Sequence, residues 1–263
     1  MSAPDHLSWD AETYQEVSDP QRGWAEAVIE RIDFRGDETV LDAGCGSGDV
    51  TRGLAERVPE GRVIGVDGSP EMVALARERL ADLGEWVRFQ QADLLELDLP
   101  ERVDLVFSNA VFHWVPDHDL LFARLAAALT PGGRLEAQCG GRGNVGEAAR
   151  ALEQVAVREP YAEFLGGFRR RWRFATAEAT AARLARAGFL DISTWLEPQP
   201  VRLEVGGPAE RFMSACVLRL HLQRLPEELR APFASDVAAL VADADGIAHL
   251  DYVRLNIHAR RPG

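Results

Sequence analysis

The sequence predicts an α/β fold built around a largely parallel sheet, and three observations carry that expectation. Short β-branched or apolar runs alternate with helical patterns from about Glu38 to Cys139, the rhythm of successive βαβ units. The first run ends in a glycine-rich turn, VLDAGCGSGDVT, that opens a helix. Of the 263 residues, 46% are hydrophobic and 27% charged, the balance of a globular chain long enough to bury a large core.

Taken in order, strands are expected at TVLDA (39–43), RVIGVD (62–67), WVRFQQA (86–92), VDLVFSN (103–109) and RLEAQC (134–139). Ser69 followed by Pro70 and Glu71 supplies an N-cap, a first-turn proline and an early carboxylate for the helix MVALARERL. LLFARLAAAL (120–129) has apolar residues at helical spacing and stops at Pro131, Gly132 and Gly133. Beyond Gly140 a glycine-rich joint leads to a helix around Glu147 to Val157, and another runs from Thr176 as its cap to Gly188. FLDISTWLE and YVRLNIHAR read as late strands. The stretch 208–247 between them carries two amphipathic helical patterns, expected to cover the site.

Composition excludes several functions. A formal charge of −13 opposes tight binding to phosphate backbones, which draws on Lys and Arg displacing counterions, so no nucleic acid partner is expected. No apolar run approaches the roughly 20 residues of a membrane span. The start, MSAPDHLSWDAETY, lacks the basic and apolar regions of a secretory signal, which makes the expected location cytoplasmic. Cys45, Cys139 and Cys216 are too scattered for a disulfide framework or a metal site.

The signal that carries chemistry begins where the first strand ends at Asp42. Gly44, Gly46 and Gly48 permit positive φ and let a ligand lie against bare backbone. Their G-x-G-x-G spacing departs from the dinucleotide fingerprint, whose last glycine falls one position later, at Asp49 here. Carboxylates at Asp42 and Asp49 around a helix start suit a cationic ligand better than a pyrophosphate. Asp67 closes the second strand, where an acid accepts both ribose hydroxyl protons. Asp93 follows the third, where a carboxylate beside a backbone amide can hold an adenine edge. In this order the acids form one nucleoside-binding set.

The segments VLDAGCGSG (40–48), VIGVDGSPEMVALARERL (63–80), QQADLLEL (90–97), LVFSNAVFHWVPDHDLLFARL (105–125) and LTPGGRL (129–135) resemble the class I S-adenosylmethionine-dependent methyltransferases. Within that class the resemblance is to the trans-aconitate methyltransferase-like group of small-molecule enzymes. It implies a Rossmann-like seven-stranded sheet whose last strand runs antiparallel, under a helical cover formed by the N-terminal segment and the insert before the last strand. It divides one expected domain into a lid segment (1–36), a donor-binding core (37–141) and substrate-side helices with the last strands (142–263). The implied cofactor is S-adenosyl-L-methionine. Gly44, Gly46 and Gly48 would cradle its methionine part, with Asp42 supporting the ammonium side, and Asp67 would hold the ribose. Asp93 and the Leu94 amide would hold adenine, flanked by Gly68 and Met72, with Asn109 beneath the sulfonium.

On the acceptor side, Trp9, Tyr14 and Trp24 of the N-terminal segment can wall the site, an aromatic surround suited to a sulfonium. For Trp24 simple packing of a helix on the sheet is the alternative. Arg169, Arg170, Arg171 and Arg173 stand against Glu163 alone, and arginine grips carboxylates bidentately. On a helix Arg169 and Arg173 share a face, so these two, with Trp114, are the substrate candidates; a solvated face is the alternative. His113 and Tyr14 are candidate bases for a hydroxyl acceptor, whereas a carboxylate needs none. The expected activity is methyl transfer to a small molecule, most simply O-methylation of a carboxylate or hydroxyl. Methylation of a natural-product nitrogen or carbon, and donor binding without turnover, are alternatives, while the glycine spacing opposes a nicotinamide oxidoreductase. The N-P-P-Y motif of many nucleic-acid and amide methylators is replaced by SNAV (108–111).

Overall fold

The computed structural model describes residues 19–168 and 172–263. The first half comprises α1 (Asp19–Ile29), β1 (Thr39–Ala43), α2 (Asp49–Arg57), β2 (Arg62–Asp67), α3 (Pro70–Arg79), β3 (Val87–Gln91), β4 (Val103–Asn109), α4 (His118–Ala128) and β5 (Leu129–Gly140). There follow α5 (Gly146–Ala156), α6 (Ala162–Leu165), α7 (Ala177–Arg186), β6 (Leu190–Pro198) and β7 (Val201–Glu204). The remainder is α8 (Pro208–Cys216), α9 (Arg219–Leu222), α10 (Glu227–Leu240), β8 (Ile247–Leu250) and β9 (Val253–Arg260). Seven strands form one sheet in the order β3-β2-β1-β4-β5-β9-β6. β1 to β5 pair in parallel, and β9 runs antiparallel to both of its neighbours, as the resemblance implied.

Parallel strands sheathed by helices are apolar on both faces, and alternation along each strand divides the core in two. Val40, Val63, Leu105 and Phe107 pack against Val28 and Ile29 of α1 and Leu54 of α2. Leu41, Ile64 and Val106 face the opposite way, toward Leu121 and Leu125 of α4 and Leu184 of α7. The expected caps are in place. Ser69 Oγ accepts the Met72 N–H at 3.2 Å, and Thr176 Oγ1 accepts the Ala179 N–H at 3.1 Å. One boundary differs from expectation: β5 begins at Leu129, which already pairs with Val103. The foreseen stop at residues 131–133 therefore sits inside the strand, at a register irregularity before Leu105 meets Arg134.

A third apolar cluster belongs to the cover. Leu152 and Val155 of α5, Phe212 and Met213 of α8, and Phe233 and Val237 of α10 are buried together with Trp24 and Tyr252. The insert holds α9 as well as the two longer helices, and β8, which begins where the insert ends, pairs antiparallel with β7. Among the described residues no helix is long and apolar enough to cross a membrane.

Candidate active site

β1, β2, β3 and β4 all end at one edge of the sheet, and the residues expected to hold a donor gather there. Past Ala43 the chain folds back so that the Gly44 and Cys45 N–H groups both donate to Val66 O, at 2.7 and 3.0 Å, which ties the glycine loop to the end of β2. Gly44, Gly46 and Gly48 have φ of +88°, +53° and +85°, a run of left-handed conformations that residues with a Cβ rarely adopt. A Cβ on Gly44 would lie 2.1 Å from Val111 Cγ2, whereas one on Gly46 would meet nothing within 4 Å. The loop thus seats its first glycine on the segment after β4 and leaves its middle one fronting open space.

The acids brace this loop. Asp67 Oδ2 accepts the Gly46 N–H at 3.0 Å and Oδ1 the Ser69 N–H at 2.9 Å. Burial raises the Asp67 pKa, and those amides oppose the rise. Asp42 is buried and accepts the Thr51 hydroxyl at 2.7 Å. Burial pushes its carboxyl up to about 7, against the Thr51 bond and with some help from Asp67. Relative to an unfolded value near 3.8, the folded chain holds the extra proton, so Asp42 makes stability fall as pH rises from there to about 7. Asp42→Asn is expected to flatten that fall by on the order of 2–3 kcal/mol between pH 4.5 and 8, measured by urea unfolding at each pH. A slope as steep as wild type would move the effect to another group.

Asp93 caps the short 3-10 turn Leu94–Glu96 through the Leu95 N–H at 2.9 Å, and it is exposed while Leu94 is buried. Gly68 is exposed at the end of β2, and Met72 lies in the core with 4% exposure. Asp49, expected to add negative charge to the turn, instead accepts the Ser47 hydroxyl and pairs with Arg79 at 3.4 Å. Asn109 ends β4, and the next residue, Ala110, has φ +61° with its N–H bonded to Gln138 O at 2.8 Å. That left-handed alanine redirects the chain so that His113 and Trp114 reach a cavity beside the strand ends. An open glycine face, a buried carboxyl whose ionisation a nearby cation would favour, and acids on adjoining strands form a set that fits a sulfonium nucleoside.

The adjoining cavity is walled by His113, Trp114, Asn144, Trp172, Phe174 and Arg254, with α8 contributing Ala215 and Cys216. His113 is buried between the Trp114 and Phe174 rings, with centroids 5.2 and 5.8 Å away. Its Nδ1 accepts the Gly140 N–H at 3.2 Å, so the neutral ring carries its proton on Nε2. Burial, reinforced by the positive charge of Arg254, pushes its pKa down to about 3. Against the expectation of a base at His113 stand two observations: the nitrogen that could take a proton is engaged, and burial disfavours the charged ring.

Arg173 also departs from expectation. Residues 172–174 lie outside any helix; Trp172 and Phe174 enter the wall while Arg173 is exposed, its N–H bonded to His113 O at 2.9 Å. Trp9, Tyr14 and Arg169 lie outside the described residues. Trp24 follows its packing alternative, 8% exposed and 5.0 Å from the Tyr252 ring. Sequence reasoning missed Arg254, which is 2% exposed on β9, and Asn144 in the glycine-rich joint. A signal for the first was present: in YVRLNIHAR, Arg254 and Asn256 alternate with Leu255 and Ile257, placing polar groups on one face of a buried strand.

Residues 40–133 match the family model described as a methyltransferase domain. Trans-aconitate 2-methyltransferase of Methylobacterium nodulans is 33% identical over 271 residues, spanning 96% of this chain and 98% of that protein. The enzyme of the same name from Variovorax paradoxus is 30% identical over 273 residues, spanning 97% and 99%. Among solved structures, YcgJ of Bacillus subtilis aligns with a TM-score of 0.62 at 20% identity, over 92% of this chain and 99% of its own. Haemonchus contortus phosphoethanolamine N-methyltransferase 2, in complex with S-adenosyl-L-methionine, aligns with 0.63 at 20% identity, over 96% and 56%. Fold, glycine loop and relatives define an S-adenosylmethionine-dependent methyltransferase with S-adenosyl-L-methionine as its cofactor. The chain belongs to the class I methyltransferases, in the trans-aconitate methyltransferase-like group.

Proposed function

We propose that the protein O-methylates a carboxylate of a small organic acid. The observation that carries this reading is the state of His113: an imidazole held neutral, with Nδ1 engaged by Gly140, serves as a hydrogen-bond donor and suits an acceptor that arrives already ionised. The name of the curated relatives, trans-aconitate 2-methyltransferase, supports an acid acceptor. Bound S-adenosyl-L-methionine supplies a methyl group made electrophilic by its sulfonium.

The chain's residues bind, align and keep water out. Asp67 is assigned to the ribose, Asp93 with the Leu94 amide to adenine between Gly68 and Met72, and the loop from Gly44 to Gly48 with Asp42 to the amino acid end. Asn109 is assigned to the sulfonium side. Trp114, Trp172 and Phe174 restrict water, which matters because a hydrated carboxylate is a blunted nucleophile. Residues 37–141 thereby form the donor half and 142–263 most of the acceptor wall, with 1–36, including Trp9 and Tyr14, assigned as a lid.

A screen with methyl-labelled donor across organic acids, phenols, amines and isoprenoid acids tests the reading. Base-labile methyl esters are the expected product, and label confined to base-stable products would overturn it. His113→Gln is expected to lower kcat by no more than about 10-fold, below the roughly 100-fold or greater loss of a general base. The wild-type kcat/KM profile should lack an inflection near pH 6.5, the ordinary value of the imidazole.

A further inference from the structure

We propose that Arg254 is a specificity-determining residue of the acceptor cavity and grips a second carboxylate of the acceptor, one that is not methylated. The proposal rests on the carboxylate reading above and assigns a residue and a division of labour to it. His113, Asn144 and Arg254 are polar residues of the wall, and the hydrogen-bond acceptor atoms of the first two are already used within the protein. His113 Nδ1 takes the Gly140 N–H at 3.2 Å, and Asn144 Oδ1 takes the Val253 N–H at 2.9 Å. His113 has only its Nε2–H left to offer, and Asn144 carries the two N–H groups of its amide. Arg254 has nothing but N–H and a permanent positive charge. Donors grouped around a cation complement a carboxylate and reject an amine.

The guanidinium is held from two elements. Its Nε donates to Gln138 Oε1 at 3.1 Å on β5, and its Cζ lies 4.5 Å from the Trp24 ring centroid on α1. Gln138 is itself fixed, its Nε2 donating to Asn256 Oδ1 at 2.8 Å, and Asn256 Nδ2 donates to Glu197 Oε2 at 3.1 Å on β6. A planar fork seated on an aromatic face and hydrogen-bonded to the sheet through Nε loses little freedom on binding. Electron density drawn into such a fork makes the gripped carboxylate a poor nucleophile. The group that takes the methyl is therefore another carboxylate of the same molecule.

The test is calorimetric titration of trans-aconitate, fumarate and crotonate into protein saturated with S-adenosylhomocysteine, for wild type, Arg254→Gln and Arg254→Lys, alongside methyl ester formation. Arg254→Gln is expected to weaken the two polyacids about 10- to 100-fold, leave crotonate within a few-fold, and leave S-adenosylhomocysteine affinity unchanged. Arg254→Lys should fall between, a point charge replacing the fork, and it carries the test should the glutamine variant not fold. Polyacid affinity unchanged in the variants, or absent from the wild type, overturns the proposal. Arg254-dependent polyacid binding without any methyl ester would sink carboxylate methylation and leave the Arg254 assignment standing. Esters formed with equal KM by wild type and variant would do the reverse.

Discussion

Gly44→Ala is expected to destabilise the protein by about 2–4 kcal/mol and to abolish donor binding. Two effects add. At φ +88° an L-residue carries about 1–2 kcal/mol of backbone strain, and the new Cβ would fall 2.1, 2.7 and 2.9 Å from three Val111 carbons. Neither side can retreat easily: the Gly44 N–H is anchored on Val66 O at 2.7 Å, and Val111 follows the strained, hydrogen-bonded Ala110. Gly46→Ala is the informative contrast, because its Cβ meets nothing within 4 Å and only φ +53° opposes it. It should cost about 1 kcal/mol of stability yet still block the ligand face. Urea unfolding and S-adenosylhomocysteine calorimetry on both variants check this, and equal destabilisation would show that the Val111 contact is unimportant. Adding Val111→Ala to Gly44→Ala should recover the steric part alone.

Asp67→Ala should weaken S-adenosylhomocysteine binding by about 100-fold or more. A hydrogen bond to a charged group contributes about 1.5–3 kcal/mol, and here the same carboxylate also satisfies the Gly46 and Ser69 N–H groups, so truncation loosens the loop as well. Asp67→Asn keeps one oxygen to accept a bond and should fall between wild type and alanine. The comparison is calorimetric, with folding confirmed by thermal melting. Wild-type affinity in a folded Asp67→Ala protein would remove the ribose assignment.

The strands and helix caps were legible in the sequence because their signals are local. β1, β2 and β4 fall where the apolar runs placed them, and the Ser69 and Thr176 caps act within three residues of themselves. The cavity wall was legible only in part. His113 and Trp114 were found through the segment after β4, but the basic run drew attention to Arg173 under a helical period where the chain forms no helix. The partners of Arg254 on β5 and α1 are far from it in sequence, so its alternation with Leu255 marks a strand face but not what that face touches. The β7–β8 hairpin escaped for the same reason, since its two strands flank the whole insert.

The distance along the chain between Gln138 and Arg254 has a thermodynamic consequence. Their hydrogen bond closes a loop of 116 positions, which costs about 4 kcal/mol of chain entropy, whereas the Gly46–Asp67 bond of the donor loop spans 21 positions and costs about 3. A single hydrogen bond contributes about 1 kcal/mol net, so neither contact sustains itself. The donor loop is closed by the β1–β2 ladder that flanks it. The Arg254 contact depends on the β5–β9 ladder and on the apolar core of the cover between them, all formed together. Acceptor recognition through Arg254, as proposed, is in that sense all-or-none with respect to the chain beyond Gly140.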